Sequence, residues 1–194
     1  MSKWCLSTIL VIMLFGFGIS LTEEAYGGQR RYGLIRLEKS VMNQIKLLRS
    51  NPARYSYKLR NYEGSEEAVR VLKSTEPLPV LKVSAGLCKA AKDYVNDQGP
   101  IGGKGHIGTD GSKFWERANR YGTDGNPGAE NISYGKSSAE EIIISWLIDA
   151  KTPSRGHRKN LLNPDYNYMG VGCGYHSQYD SMCVLDLAVD YKDR

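Results

Sequence analysis

The chain has 194 residues, 41% hydrophobic and 24% charged, with a formal net charge of +5. These proportions suit one ordinary globular domain and exclude a polytopic membrane protein. Its glycines show no three-residue period and its aromatic share is 10%, so it is neither a collagen nor a wholly disordered chain.

The N-terminus reads as an address. Lys3 precedes an apolar, uncharged run from about Cys5 to Leu21, and small residues stand at Gly18 and Ser20 and again at Ala25 and Gly27. This is the pattern of a secretory signal peptide over 1–27, cut between 20 and 27, leaving 28–194 as a single secreted, extracellular domain. The rival reading is an uncleaved anchor, since the run approaches the length of a membrane span. Beyond the leader only Cys88, Cys173 and Cys183 remain, too few for a disulfide-dense scaffold. Residues 28–60 carry nine Lys/Arg against a single acid, Glu38. That stretch is either a solvated helix face or a surface for an anionic membrane. No nucleic-acid-binding motif is present, so no nucleic acid partner is expected.

In chain order, Leu34, Leu37, Val41, Ile45 and Leu48 recur at helical spacing and predict an amphipathic helix over 34–49. Asn51-Pro52 opens a second helix, 52–61, and Ser65 a short one, 66–74. After Pro77 and Pro79, Ser84 caps a helix over 85–97 with Leu87, Ala90, Ala91, Tyr94 and Val95 on its apolar side. A Gly-rich loop, 99–111, surrounds His106, and a helix follows from Ser112 to Tyr121. Residues 129–134 are strand-like. Ser138 to Glu141 is a capping box ahead of a buried helix over 139–149. A loop containing Pro153 and Gly156 leads to Asn163-Pro164. Met169, Val171, Cys173 and Tyr175 alternate with glycines, and Met182 to Val189 is apolar, so the end of the chain is a β-hairpin with a polar turn over 176–180. Setting Cys173 opposite Cys183 places Val171 opposite Leu185 and Met169 opposite Leu187, a register in which a cross-strand disulfide is reasonable. Cys88, among Leu87, Ala90 and Ala91, reads as a small buried hydrophobe. Helices flanking a late antiparallel sheet make an α+β layered domain.

Chemistry is confined to a few loop residues. There is no G-x-S-x-G, no H-E-x-x-H and no Gly-rich phosphate loop. His106 and His157 both neighbour glycine, and Glu130 and Asp149 are the acids in range. Two histidines and two carboxylates hold a divalent cation or form a hydrogen-bonded polar cluster. His176, in the hairpin turn, reads as solvated.

Ala129-Glu130-Asn131-Ile132, the later Trp146, Gly156-His157 and a closing Gly-rich hairpin, with His106 upstream, resemble the CAP superfamily (SCP domain), the family of cysteine-rich secretory proteins, venom allergens and plant pathogenesis-related proteins. The run from Gly156 through Arg158, Lys159 and Asn160 to Pro164 is similar to the bacterial and protist branch. The resemblance implies a three-layer α–β–α sandwich with a C-terminal antiparallel β-hairpin. It implies a cleft tetrad of His106, Glu130, Asp149 and His157, in which Asp149 is one methylene shorter than the family's usual Glu. It further implies Zn²⁺ or another divalent cation on the histidines, with the acids in support. Three functions follow as expectations: a binding module for lipid, sterol or other small hydrophobic ligands or for cell surfaces; a metal-assisted hydrolase with Glu130 as general base; or a structural extracellular or wall-associated protein. Asn131-Ile132-Ser133 is a glycosylation sequon, expected to be unused because it overlaps the cleft motif.

Overall fold

The computed structural model describes residues 33–124 and 128–194. The leader expected over 1–27, together with Arg30 and Arg31, lies outside the described residues. The chain divides into a first unit, 1–36, of which only the opening of a helix at 33–36 is described, and a second unit, Leu37–Arg194, which carries the fold.

Helix α1 spans 33–50, with Val41, Ile45 and Leu48 of the predicted stripe fully buried. Asn51 caps α2, Pro52–Tyr55, its side chain accepting from the Arg54 amide. The expected helix 52–61 then tightens into a 3₁₀ turn, Ser56–Leu59. Helix α3 is Glu66–Ser74, and β1 is only Lys82–Val83. Helix α4, Ala85–Ile101, starts where Ser84 accepts from the Leu87 amide. It runs one turn beyond the expected 85–97 and stops at Gly102, whose φ of 71° is the left-handed conformation that ends helices. Helix α5, Phe114–Asn119, starts two residues later than predicted, with Lys113 at its N-cap. Strand β2 is Gly122–Asp124 and β3 is Ala129–Tyr134. The Ser138–Glu141 capping box opens α6, Ala139–Ile148. Helix α7 is Gly156–Leu162, and β4, β5 and β6 are Tyr168–Gly174, Met182–Ala188 and Tyr191–Asp193.

The main sheet runs β1-β4-β5-β3, with β1 parallel to β4 and the other neighbours antiparallel; β2 and β6 pair separately. The hairpin register is the expected one: Cys173 faces Cys183, Val171 faces Leu185 and Met169 faces Leu187. Cys173 and Cys183 are disulfide-bonded, and Cys88 is free. The glycines of β4 line one face and admit α4. A Cβ on Gly170 would lie 2.2 Å from the Leu87 carbonyl carbon, so only glycine allows this approach. Ala91, Tyr94 and Val95 of α4 pack there on Ile132, Met182 and Val184. Helices α6 and α7 lie against β3 from the other side: the Trp146 indole donates to the Ile132 carbonyl at 3.1 Å, and Asn131 bonds the His157 carbonyl. The result is an α–β–α sandwich.

Four expectations are corrected. Residues 156–162 form a helix, not a loop. Arg155 at its N-cap has a φ of 54° and no capping side chain, so the sequence lacks the usual start signal. His176 is fully buried rather than solvated. Its Nε2 lies 2.9 Å from the Gly103 carbonyl, its Nδ1 accepts from the Gln178 amide, and its ring packs on Tyr134 and Tyr179. Arg49 belongs to no basic face, because it is fully buried. Cys88 is half-buried rather than a core residue, and burial still pushes its thiol up.

Candidate functional site

The four predicted residues form two pairs, one anchored on β3, the edge strand of the main sheet, and one at the junction of α6 and α7. Glu130 projects toward the α4 side, as Ile132 does. There one carboxylate oxygen lies 2.8 Å from His106 Nδ1 and the other accepts from Arg117 Nη2 at 2.7 Å. Glu130 and Arg117 are sealed, whereas the His106 side chain is 52% exposed. The His106 loop is held by Tyr94, whose hydroxyl donates to the Gly105 carbonyl at 2.7 Å. Arg117 also donates to the carbonyls of Ser112 and His106 and stacks on Tyr94.

The second pair comes from the other layer. Asp149 ends α6 in a left-handed conformation, φ 51°. One oxygen lies 2.8 Å from His157 Nδ1, and the other accepts the His157 amide at 2.9 Å, which starts α7 in place of a local cap. The shorter acid therefore reaches its histidine directly. Burial pushes the Asp149 carboxyl up, but the hydrogen bonds and charge of His157 and a bond from Thr152 outweigh it and leave it below the ordinary aspartate range. Arg155 binds the Asp149 carbonyl and, with Arg158, clasps Glu67 of α3, fixing the loop that carries the pair.

Asn131, next to Glu130 but facing the other layer, donates to the His157 carbonyl at 3.0 Å and accepts from Asn160 at 2.8 Å. It is fully buried, which leaves its amide no room for a glycan in the folded chain. Glu141 serves the capping box and Glu140 pairs with Lys58, so neither holds a histidine.

In each pair a carboxylate holds Nδ1, which leaves Nε2 as the outward nitrogen. This is how ligating histidines are usually oriented. The donor set nevertheless stops at two nitrogens: among the described residues no three His, Cys, Asp or Glu side chains form a group able to hold a metal ion. Each histidine is held by its own acid.

One functional neighbour had no signal in the sequence. Asp186 of β5 pairs in register with Glu130, is fully buried, and has neither carboxylate oxygen hydrogen-bonded; Arg117 Nε beside it is likewise unpartnered. Burial, then the Glu130 charge, push its carboxyl well up, against the pull of Arg117. One guanidinium faces two buried acids, so Asp186 is the one kept protonated. An acid raised in the folded state lends its full stability below the unfolded value of about 3.9 and loses about 1.4 kcal/mol per pH unit above it, until the folded value is passed. Asp186→Asn, neutral and of equal size, removes this slope. In urea unfolding the variant is expected to gain on the parent as the pH rises above about 4.5; parallel curves would show that Asp186 carries no such linkage.

A sheet between helical layers, with two carboxylate-held histidines, defines a CAP domain. The profile of the CAP family, the cysteine-rich secretory protein family, matches residues 43–187, and the chain belongs to that family. It is 30% identical over 114 residues to the uncharacterized protein YkwD of Bacillus subtilis (strain 168), a stretch covering 59% of this chain and 39% of that protein. Its fold is similar to that of an extracellular protein containing a SCP domain from Bacillus anthracis str. Ames, with a TM-score of 0.53 and 22% identity over 81% of this chain and 43% of that one. It is also similar to an outer surface protein from Borrelia burgdorferi, with a TM-score of 0.51 and 21% identity over 78% and 94% of the two chains. This chain thus spans less than half of YkwD and of the Bacillus anthracis protein.

Proposed function

We propose that the chain is an exported binding module whose groove between β3 and α6 takes a small hydrophobic ligand of the lipid or sterol class. The observation that carries this is the groove itself, about 530 Å³, which places the His157–Asp149 pair beside Ile132, Tyr134, Ile144, Trp146 and Ile148, with Lys136, Glu141 and Lys151 also on its lining. Apolar wall and charged groups side by side suit an amphipathic ligand, its chain on the first and its polar head on the second. The hydrolase reading has less support, because both Glu130 oxygens are already engaged and the carboxylate is sealed from water. A general base must reach the proton it takes. Among the described residues no serine, threonine or cysteine side chain is hydrogen-bonded to the His106 or His157 ring. Export is supported by the signal-like leader and by the extracellular and outer-surface descriptions of the structural neighbours.

The test is binding of a long-chain fatty acid and of a sterol, followed by Trp146 fluorescence and native mass spectrometry. Ile148→Asp puts a carboxylate in the apolar wall and is expected to weaken binding at least about tenfold, with no turnover of peptide or ester substrates. Equal affinity in Ile148→Asp removes the groove from the reading. The carboxylate-backed imidazoles favour a second ligand, Zn²⁺ or another divalent ion on His106 and His157. Calorimetry with Zn²⁺ decides it: His106→Ala and His157→Ala are each expected to abolish binding, and an unaltered affinity in the double variant rules the imidazoles out as ligands.

A further inference from the structure

Outside the lining of that groove, the junction of α1, α2 and the 3₁₀ turn leaves two large apolar side chains in water. Leu47 is 56% exposed and Tyr57 is 57% exposed. Both line one open cavity of about 630 Å³, whose wall also includes Tyr55 and whose rim carries Arg54 and Lys58. Just beyond it, the Arg60 guanidinium carbon sits 3.8 Å from the Tyr57 ring centroid, so this cation and the exposed ring form one projecting unit. From Met42 to Asn61 the chain contains no Asp or Glu. Within that stretch Arg49 turns inward, which leaves Lys46, Arg54, Lys58 and Arg60 as the cations of the outer face. Lys58 is tied to Glu140, but no carboxylate pairs with Arg54 or Arg60 among the described residues.

An apolar cup with a projecting tyrosine and a one-sign basic rim has a complementary partner. Leucine and tyrosine favour the boundary between acyl chains and head groups, and unpaired arginines favour phosphate oxygens. We propose that this face docks the protein on an anionic phospholipid surface, with Leu47 and Tyr57 entering the interface and Arg54 and Arg60 meeting the lipid phosphates. The basic character seen along 28–60 is thereby assigned, within the described residues, to a face built from the end of α1 and the turn after α2. It shares no lining residue with the β3–α6 groove and does not depend on what that groove binds.

The test is co-sedimentation of the secreted protein with vesicles of phosphatidylcholine alone and with about 30% phosphatidylserine. Binding is expected only to the anionic vesicles, and to fall with salt as exposed charges are screened. Arg54→Gln/Arg60→Gln, both on the surface, is expected to lower partitioning about 25-fold, roughly five-fold per cation. Leu47→Ser/Tyr57→Ser keeps every charge and is expected to abolish the binding that survives high salt. Circular dichroism of both variants is expected to match the parent. Equal binding to neutral vesicles, or unchanged binding in both double variants, overturns the proposal. Displacement of the protein by millimolar free phosphate, with no effect of the Leu47/Tyr57 pair, overturns it in favour of a soluble-anion site.

Discussion

Arg49→Met is expected to cost about 4–6 kcal/mol, a large share of a typical domain's stability of about 5–15 kcal/mol, and to leave little folded protein at 37 °C. The guanidinium is fully buried, and among the described residues no carboxylate pairs with it. Instead it donates to four carbonyls: Nε to Pro79 at 2.9 Å, Nη1 to Leu161 at 3.0 Å and Asn163 at 2.9 Å, and Nη2 to Tyr166 at 3.3 Å. Those carbonyls lie on the segment before β1, at the end of α7 and in the loop to β4, so one side chain ties α1 to three distant pieces of chain. Burial lowers its pKa to about 10, so the group still carries its charge at neutral pH. Methionine fills much of the space but leaves four acceptors without this donor, two of them, the Leu161 and Tyr166 carbonyls, buried. Arg49→Lys is expected to recover less than half of the loss, because a single ammonium cannot span the positions that a planar fork reaches. Denaturant midpoints of the three proteins measure this, and a lysine variant as stable as the parent would show that charge alone, not the fork, holds the junction.

The second large effect is expected at Arg117. Removing it leaves Glu130 and Asp186 as neighbouring buried acids without their cation, and frees the carbonyls of Ser112 and His106. Arg117→Met is expected to destabilise by about 3–5 kcal/mol, most of it the cost of an uncompensated buried charge. That attribution makes a sharper claim. Glu130→Gln in the same chain removes the stranded charge, so Arg117→Met/Glu130→Gln is expected to be more stable than Arg117→Met alone, with a coupling of at least about 1 kcal/mol. Simple additivity would show that the cost lies in lost packing on Tyr94 rather than in electrostatics.

Much of the fold was legible because its signals are local. The 3–4 spacing of Val41, Ile45 and Leu48, the Ser84 cap and the Ser138–Glu141 box each lie within one element, and each element formed there. The Gly–apolar alternation of β4 also carried through, since alternation assigns faces without reference to a partner strand. Even Arg49 was marked, four residues after Ile45 and eight after Val41, and so in phase with the buried stripe. Its charge pointed to water, and the four carbonyls that make burial tolerable come from residues 79 to 166. Helix α7 was missed for the same kind of reason. In its first turn the His157 amide is met by Asp149, across a loop whose turns rest on left-handed conformations at Asp149 and Arg155.

The candidate site divides in the same way. The sequence by itself singled out the candidates, His106 and His157 as histidines beside glycines, while the set of four with Glu130 and Asp149 came from the family resemblance. It also determined the hairpin register and the Cys173–Cys183 bridge, since both follow from a single turn. Only the tertiary structure decided which acid holds which histidine, that Arg117 and Asp186 stand behind Glu130, and that His176 is interior. The partners of Glu130 and of His176 rest on strand β3 pairing with β5 and on a loop closing over α4, whereas the Asp149–His157 pair, eight residues apart, rests on the turn from α6 to α7. Local periodicity records which face a residue takes but not which partner waits there, and a buried charge is tolerated only when that partner arrives.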